Sequence, residues 1–248
     1  EGRMAIIQNG SSLFTGDAGS GQSEIRRHLI ENDWLETIVQ LPNDSFYNTG
    51  IATYIWIVTK DKPASHAGRL LLIDASNCYE PRRKSIGNKR VDISAACREL
   101  IVRAYGEYVN RDYAETLSSG REIVCKSRIL DNVALGYNKI TVESPELDEH
   151  GNKVLKKGKP VADSGRRDTE NVPLDRDVEE YLKAEVLPYN PDAWIDKSKT
   201  KAGYEIPFTR TFYVYKELEK ADDIAARIEA HERALMKKLH DLFGKKES

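Results

Sequence analysis

Cysteine is scarce in this chain: Cys78, Cys97 and Cys125 are the only three among 248 residues, and no two of them lie close together. An odd count without paired spacing argues against a disulfide framework and against a zinc site, and it points to a reducing cytoplasm. The five histidines, His28, His66, His150, His231 and His240, share no ligand spacing, so no metal is expected. No Ser/His/Asp arrangement stands out either, which leaves hydrolase chemistry without support. Long apolar runs are missing as well. None approaches the roughly 20 residues of a membrane span, and no segment reads as a signal peptide. An excess of one charge is also lacking: 38 Lys and Arg against 40 Asp and Glu leave a net charge of −2. Overall charge therefore gives no argument for a nucleic-acid partner, although local basic patches stay open. A methionine start is missing too. Glu1-Gly2-Arg3 runs straight into Met4-Ala5-Ile6-Ile7, which reads as a buried strand without a lead-in. Chain ends usually fray at the surface, so the expectation is the C-terminal part of a longer protein.

What is present alternates between strand and helix signals over the first 75 residues. Residues 3–8 read as a strand, 9–21 as a Gly/Ser-rich loop, and 24–32 as a helix with Ile25, Leu29 and Ile30 on one face. Two β-branched and aromatic runs follow, 34–41 and 51–59, and then a third, Leu70-Leu71-Leu72-Ile73. The first two are joined by a turn-rich loop, Pro42-Asn43-Asp44-Ser45-Phe46-Tyr47-Asn48-Thr49-Gly50. A parallel crossover needs roughly a dozen residues or more, so these strands are predicted to be antiparallel neighbours. The pattern is α/β. One helix covers only one face of such a sheet, which leaves the sheet incomplete.

Residues 78–90 read as basic and irregular. A helix follows from Asp92 or Ser94, with Ala96, Leu100, Ile101 and Ala104 as its stripe. Short strands are predicted in 121–129 and 137–142, an exposed charged insert with hairpin turns at about 144–172, and a helix over 177–187. Residues 203–213 read as an aromatic-rich link. From about 216 to 243 a long helix carries Ile224, Ile228, Leu235, Leu239 and Leu242 at spacings of three and four, a stripe suited to a partner helix. Three parts are expected: 1–76, 77–213 and 214–248.

Three stretches carry candidate chemistry. Gly16-Asp17-Ala18-Gly19-Ser20-Gly21 precedes a helix, but it matches neither a P-loop nor G-x-G-x-x-G; a flexible loop is the plainer reading. Arg82, Arg83, Lys84, Lys89 and Arg90 set five cations within nine residues, fit for a DNA phosphate backbone or for a solvated surface. Phe46 and Tyr47 lie at the carboxyl end of a strand, where α/β sheets place ligands. They are either a packing corner or aromatic faces for a flipped base.

An ordered series then becomes visible. It comprises Gly2-Arg3-Met4-Ala5-Ile6-Ile7-Gln8-Asn9-Gly10, Glu24-Ile25-Arg26-Arg27-His28-Leu29, and Leu41-Pro42 through Phe46-Tyr47-Asn48-Thr49-Gly50-Ile51. Gly136-Tyr137-Asn138-Lys139-Ile140-Thr141-Val142-Glu143 and Gly203-Tyr204-Glu205-Ile206-Pro207-Phe208-Thr209-Arg210 continue it. The series resembles the C-terminal half of the adenine-N6 DNA methyltransferase subunit of type I restriction–modification systems. The resemblance implies a Rossmann-like methyltransferase sheet whose last strand is antiparallel, followed by a mainly helical tail and a long C-terminal helix. It also implies S-adenosylmethionine as methyl donor, adenine N6 in DNA as acceptor, and a specificity subunit and a restriction subunit as partners. Phe46, Tyr47, Asn48, Thr49 and Gly50, with Asn9 and Gly10, would shape the target-base pocket. The C-terminal helix would dock on the specificity subunit. The departure from the family is large. Its cofactor-binding glycine motif and its Asn-Pro-Pro-aromatic motif lie upstream of this region and do not occur here. No catalytic residue is therefore assigned, and this chain alone should be inactive. A non-catalytic assembly or DNA-binding module of the same kind of complex is the alternative.

Overall fold

The computed structural model describes residues 2–215 and 218–243. Glu1–Phe212 form one compact unit and Tyr213–Ser248 a second.

The first unit is built on a six-stranded sheet. Its early elements are β1 (Arg3–Asn9), α1 (Ser11–Phe14), α2 (Gly21–Glu31), β2 (Leu35–Gln40), β3 (Thr53–Thr59) and β4 (Arg69–Asp74). There follow β5 (Glu80–Ile86), β6 (Lys89–Asp92), α3 (Ala95–Glu107), β7 (Arg111–Thr116) and β8 (Glu122–Asp131). The strand order is β1-β3-β2-β4-β8-β7. As the loop length predicts, β2 and β3 are antiparallel. β1 is also antiparallel to β3, and β4 runs parallel to β2. Thus β1, β2 and β4 point the same way, with β3 inserted against them.

Side chains alternate across these strands, so two cores form on opposite faces. Val39, Leu71, Ile73, Ile123 and Cys125 pack under Cys97, Leu100 and Ala104 of α3. Ile38, Leu70, Leu72, Tyr54 and Trp56 pack with Leu13, Ile30, Tyr204, Ile206 and Phe208. The second face is therefore covered by residues almost 150 positions downstream of β3, and Tyr204, Ile206 and Phe208 of the expected link are core. Phe208 meets the Tyr54 ring edge-on, with centroids 5.2 Å apart.

A second sheet lies in β9 (Gly136–Glu143), β12 (Asp168–Pro173), β13 (Trp194–Ile195) and β14 (Lys201–Tyr204), all paired to β9. Between β9 and β12 stands a small hairpin, β10 (Leu155–Lys156) with β11 (Lys159–Pro160). α4 (Val178–Tyr181), capped by Asp177, continues as a π-helical turn over Leu182–Val186. α5 (Phe208–Phe212) ends the first unit, and α6 (Ala221–Phe243) is the helix of the second.

Four expectations are corrected. The tail after residue 76 is mixed rather than mainly helical: strands dominate up to Tyr204, the long helix comes only at the end, and two of the strands, β7 and β8, complete the first sheet. Residues 80–92 are a hairpin with a register shift between Pro81 and Ile86; apart from the buried Val91 its strands are largely solvent-facing, so no apolar alternation betrays them. β1 is not buried. Only Gln8 is partly covered, because the strand is an edge with β3 as its one neighbour. Finally, α2 buries Ser23, Arg26 and Ile30, while Ile25 is 64% exposed. Arg26 goes inside because three carbonyls, those of Tyr204, Ser12 and Thr15, accept from its guanidinium.

Candidate functional site

The shared direction of β1, β2 and β4 brings their carboxyl ends to one end of the sheet, where the 41–52 loop leaves β2. That loop is held by its own polar groups. Ser45 Oγ donates to the Pro42 carbonyl at 2.7 Å, Phe46 and Thr49 bridge, and the Asp44 N–H donates to the Gly50 carbonyl. A Cβ on Gly50 would stand 2.7 Å from Asp44 Oδ1, so a larger residue there has to displace the Asp44 carboxylate.

The two aromatics part company here. Phe46 is half-buried and packs on the core with Val39, Leu41 and Ile55. It is the packing corner. Tyr47 is 69% exposed, and Asn48 beside it is exposed too. Asn9 and Gly10 sit at the same end, opposite Thr53 at the start of β3, but β3 separates β1 from β2. Two strand spacings, on the order of 10 Å, therefore lie between β1 and β2, where the Tyr47 loop starts, and one between β1 and β3, where it ends. A Cβ on Gly10 would meet the Tyr54 ring at 3.4 Å. Burial, and then the nearby Asp74 carboxylate, pushes the Tyr54 hydroxyl upward in pKa.

The basic run arrives at the same loop. β5 and β6 are joined by the two-residue turn Gly87-Asn88, and the Asn88 N–H donates to the Tyr47 carbonyl at 2.9 Å. The Arg90 N–H donates to the Asp44 carbonyl at 3.0 Å. Gly87 has φ +57°, and a Cβ there would fall 2.5 Å from the Tyr47 carbonyl oxygen. Glycine is thus needed twice over, for the turn and for the close approach. Nothing in the sequence pairs these stretches; the Gly-Asn dipeptide was the available signal for the turn.

The five cations are not equivalent. Arg82 makes two bonds to Asp92, at 2.7 and 2.6 Å, and Lys89 adds a third contact at 3.2 Å. The Arg82 hydrogen bond is the main reason the Asp92 carboxyl lies below its ordinary range. Arg83, Lys84 and Arg90 are exposed, without a carboxylate partner among the described residues. The loop and hairpin therefore present one exposed phenol, neighbouring amide groups and three free cations. Such a surface suits stacking and phosphate contacts; it holds no general acid–base pair. No metal-ligand cluster occurs among the described residues.

The glycine-rich loop before α2 is filled by the protein itself. Gly16 (φ +95°) leaves room for Ser20 Oγ, which caps α2 by accepting from the Ser23 N–H. Lys139 Nζ binds both Asp17 oxygens at 2.8 Å, and the Lys201 stem lies over Gly19.

With this geometry in view, comparison with known proteins is decisive. The profile of the N-6 DNA methylase family matches residues 1–144. The chain belongs to that family. The match takes in the whole six-stranded sheet and ends just after β9. Among curated relatives, the type I restriction enzyme MjaVIII methylase subunit of Methanocaldococcus jannaschii is 33% identical over 114 residues, 45% of this chain and 18% of that protein. The MjaIX methylase subunit of the same organism is 39% identical over 87 residues, 34% of this chain and 15% of that protein. The chain thus spans less than a fifth of the length of these relatives. A solved type I restriction–modification methyltransferase subunit from Streptococcus thermophilus aligns with 53% of this chain and 23% of its own, at 24% identity and a TM-score of 0.41.

Proposed function

We propose that this chain is the C-terminal part of the methylase subunit of a type I restriction–modification complex, a site-specific adenine-N6 DNA methyltransferase of the cytoplasm. The observation that carries the reading is the junction of the Tyr47 loop with the basic β5–β6 hairpin, at the carboxyl ends of strands in an N-6 methylase fold. Tyr47, with Asn48, Thr49 and Gly50, forms one wall of the pocket for a flipped adenine, which Phe46 supports from the core side. Asn9 and Gly10 border the pocket across β3. Arg83, Lys84 and Arg90 meet the DNA backbone, while Arg82 and Lys89 anchor the hairpin through Asp92. Stripped of its ion-pair partner, an exposed cation gains most beside a phosphate.

We assign the methyl donor, S-adenosylmethionine, to residues outside this chain. The one glycine-rich loop is occupied by Ser20, Lys139 and Lys201. The Asn-Pro-Pro-aromatic motif is also missing; Asn190-Pro191 is the only Asn-Pro, and its amide is tied to Ser144 at 2.8 Å. No chemical step is therefore assigned to these residues. The rest of the Rossmann-like sheet would pair along β1. Its exposed edge and a 320 Å³ apolar groove lined by Met4, Ile6, Ile25, Leu29, Trp56 and Val58 support that reading.

Calorimetry tests it. These 248 residues are expected to give no heat with S-adenosylmethionine, and joining them to the upstream half of such a methylase is expected to restore binding and methyl transfer. Cofactor binding by the chain alone would overturn the division of labour. Restored assembly without methyl transfer would favour a non-catalytic assembly or DNA-binding module.

A further inference from the structure

The insert between β9 and β12 lies beyond the stretch matched by the N-6 methylase family, and neither the target-base loop nor the β5–β6 hairpin explains it. It is held by short strand pairings and a few polar contacts, such as those of Asp148 with Asn152 and of Lys153 with Asp192. Pro145 bridges Ala162, Leu147 bridges Lys153, and Leu155 and Lys156 pair with Pro160 and Lys159. Its tip buries almost nothing, for every residue from Leu155 to Pro160 is exposed. Lys156, Lys157 and Lys159 crowd its tip, and no carboxylate occurs between Glu149 and Asp163.

The charge arrangement is unfavourable as it stands. Lys156 and Lys159 face each other directly across the hairpin, a position where like charges repel. Lys157, between them, holds φ +54° beside Gly158 at +75°. Nearby cations are handled otherwise. Lys153 pairs with Asp192, Arg167 with Glu143 at 2.8 Å, and Lys199 with Glu143 at 2.7 Å. The three tip lysines have no carboxylate partner among the described residues. A polyanion would relieve the repulsion, and a narrow two-stranded ribbon is a shape that DNA grooves admit.

We propose that the Lys156-Lys157-Lys159 finger is a second DNA-backbone contact, separate from the β5–β6 hairpin. This rests on the reading of the chain as part of a DNA methylase. The test is fluorescence anisotropy of the 248-residue chain on a duplex oligonucleotide over a range of salt concentrations. Each phosphate contact adds about 0.9 to the slope of log affinity against log salt. Replacing the trio by glutamine (K156Q/K157Q/K159Q) is expected to flatten the slope by up to about 2.7. The arginine trio (K156R/K157R/K159R) is expected to keep it. The glutamine variant is expected to melt no lower than the parent, because its repulsion is gone. An unchanged slope in the glutamine variant, while R83Q/K84Q/R90Q flattens it, overturns the finger and leaves the DNA reading standing. No DNA binding by the parent chain overturns both.

Discussion

Phe46 and Tyr47 are neighbours with opposite physical tasks. Phe46 closes the core beneath the loop, whereas the Tyr47 ring contributes little buried area and its backbone carbonyl is what the hairpin holds. Truncating each to alanine separates the tasks. Phe46→Ala removes half-buried aromatic surface and leaves a gap beside Val39 and Leu41, at a cost on the order of 2 kcal/mol in urea unfolding. Tyr47→Ala is expected to stay within about 0.5 kcal/mol of the parent, as surface changes do. Its effect should fall on DNA instead, because stacking of one base on an aromatic ring is worth about 1–3 kcal/mol. Equal stability losses from the two variants would contradict the assignment.

At the scale of elements, burial and charge decide what holds the second sheet. Glu143 ends β9 with 2% exposure, bound by Arg167 and Lys199. Burial pushes its carboxyl up, but the Lys199 and Arg167 hydrogen bonds outweigh this and hold it below the ordinary range. A carboxyl depressed in the folded state stabilises above its unfolded pKa, and the gain is lost as pH falls through the folded pKa. Stability of the first unit is therefore expected to fall between about pH 5 and pH 3. Glu143→Gln should start lower at neutral pH, by about 1–2 kcal/mol because both cations are partly solvated, and lose less on acidification. Urea midpoints across that range check both signs. Such ties also explain what could be read in advance. β2, β3 and β4 were legible because both of their faces are packed, which writes Ile38-Val39 and Leu70-Leu71-Leu72-Ile73 as apolar runs. The hairpin turns of the insert were legible from Gly151 and Gly158. The β5–β6 hairpin was not, since a strand pair in solvent needs no apolar period. Nor was the inward face of α2, because Arg26 is buried by carbonyls that lie far away in sequence. The meeting of Tyr47 with Asn88 was invisible for the same reason: it is made by backbone groups, which every residue carries.

The whole molecule is two units of unlike character. The first is packed around buried cores, two on the six-stranded sheet and one on the second sheet around Ile140, Val142 and Val172; the second has α6, a 23-residue helix in which every described side chain is exposed, including Ile228, Leu235, Leu239 and Leu242. At 1.5 Å per residue α6 is about 35 Å long, and its apolar stripe follows the spacing by which helices pack in bundles. Exposed apolar surface of that extent is normally covered in a working assembly. If α6 serves the specificity subunit, deleting residues 213–248 removes docking and spares folding. The shortened chain is expected to unfold within about 0.5 kcal/mol of the parent, since no buried side chain among the described residues is removed. In size-exclusion chromatography with a specificity subunit, the parent chain should co-elute and the shortened chain should not. Replacing Ile228 and Leu235 by glutamate in the full chain gives the same answer without truncation, because two charges on the stripe block a helix partner while leaving helix propensity high. Complex formation that survives both changes would place the docking surface on the first unit, and the long helix would need another role.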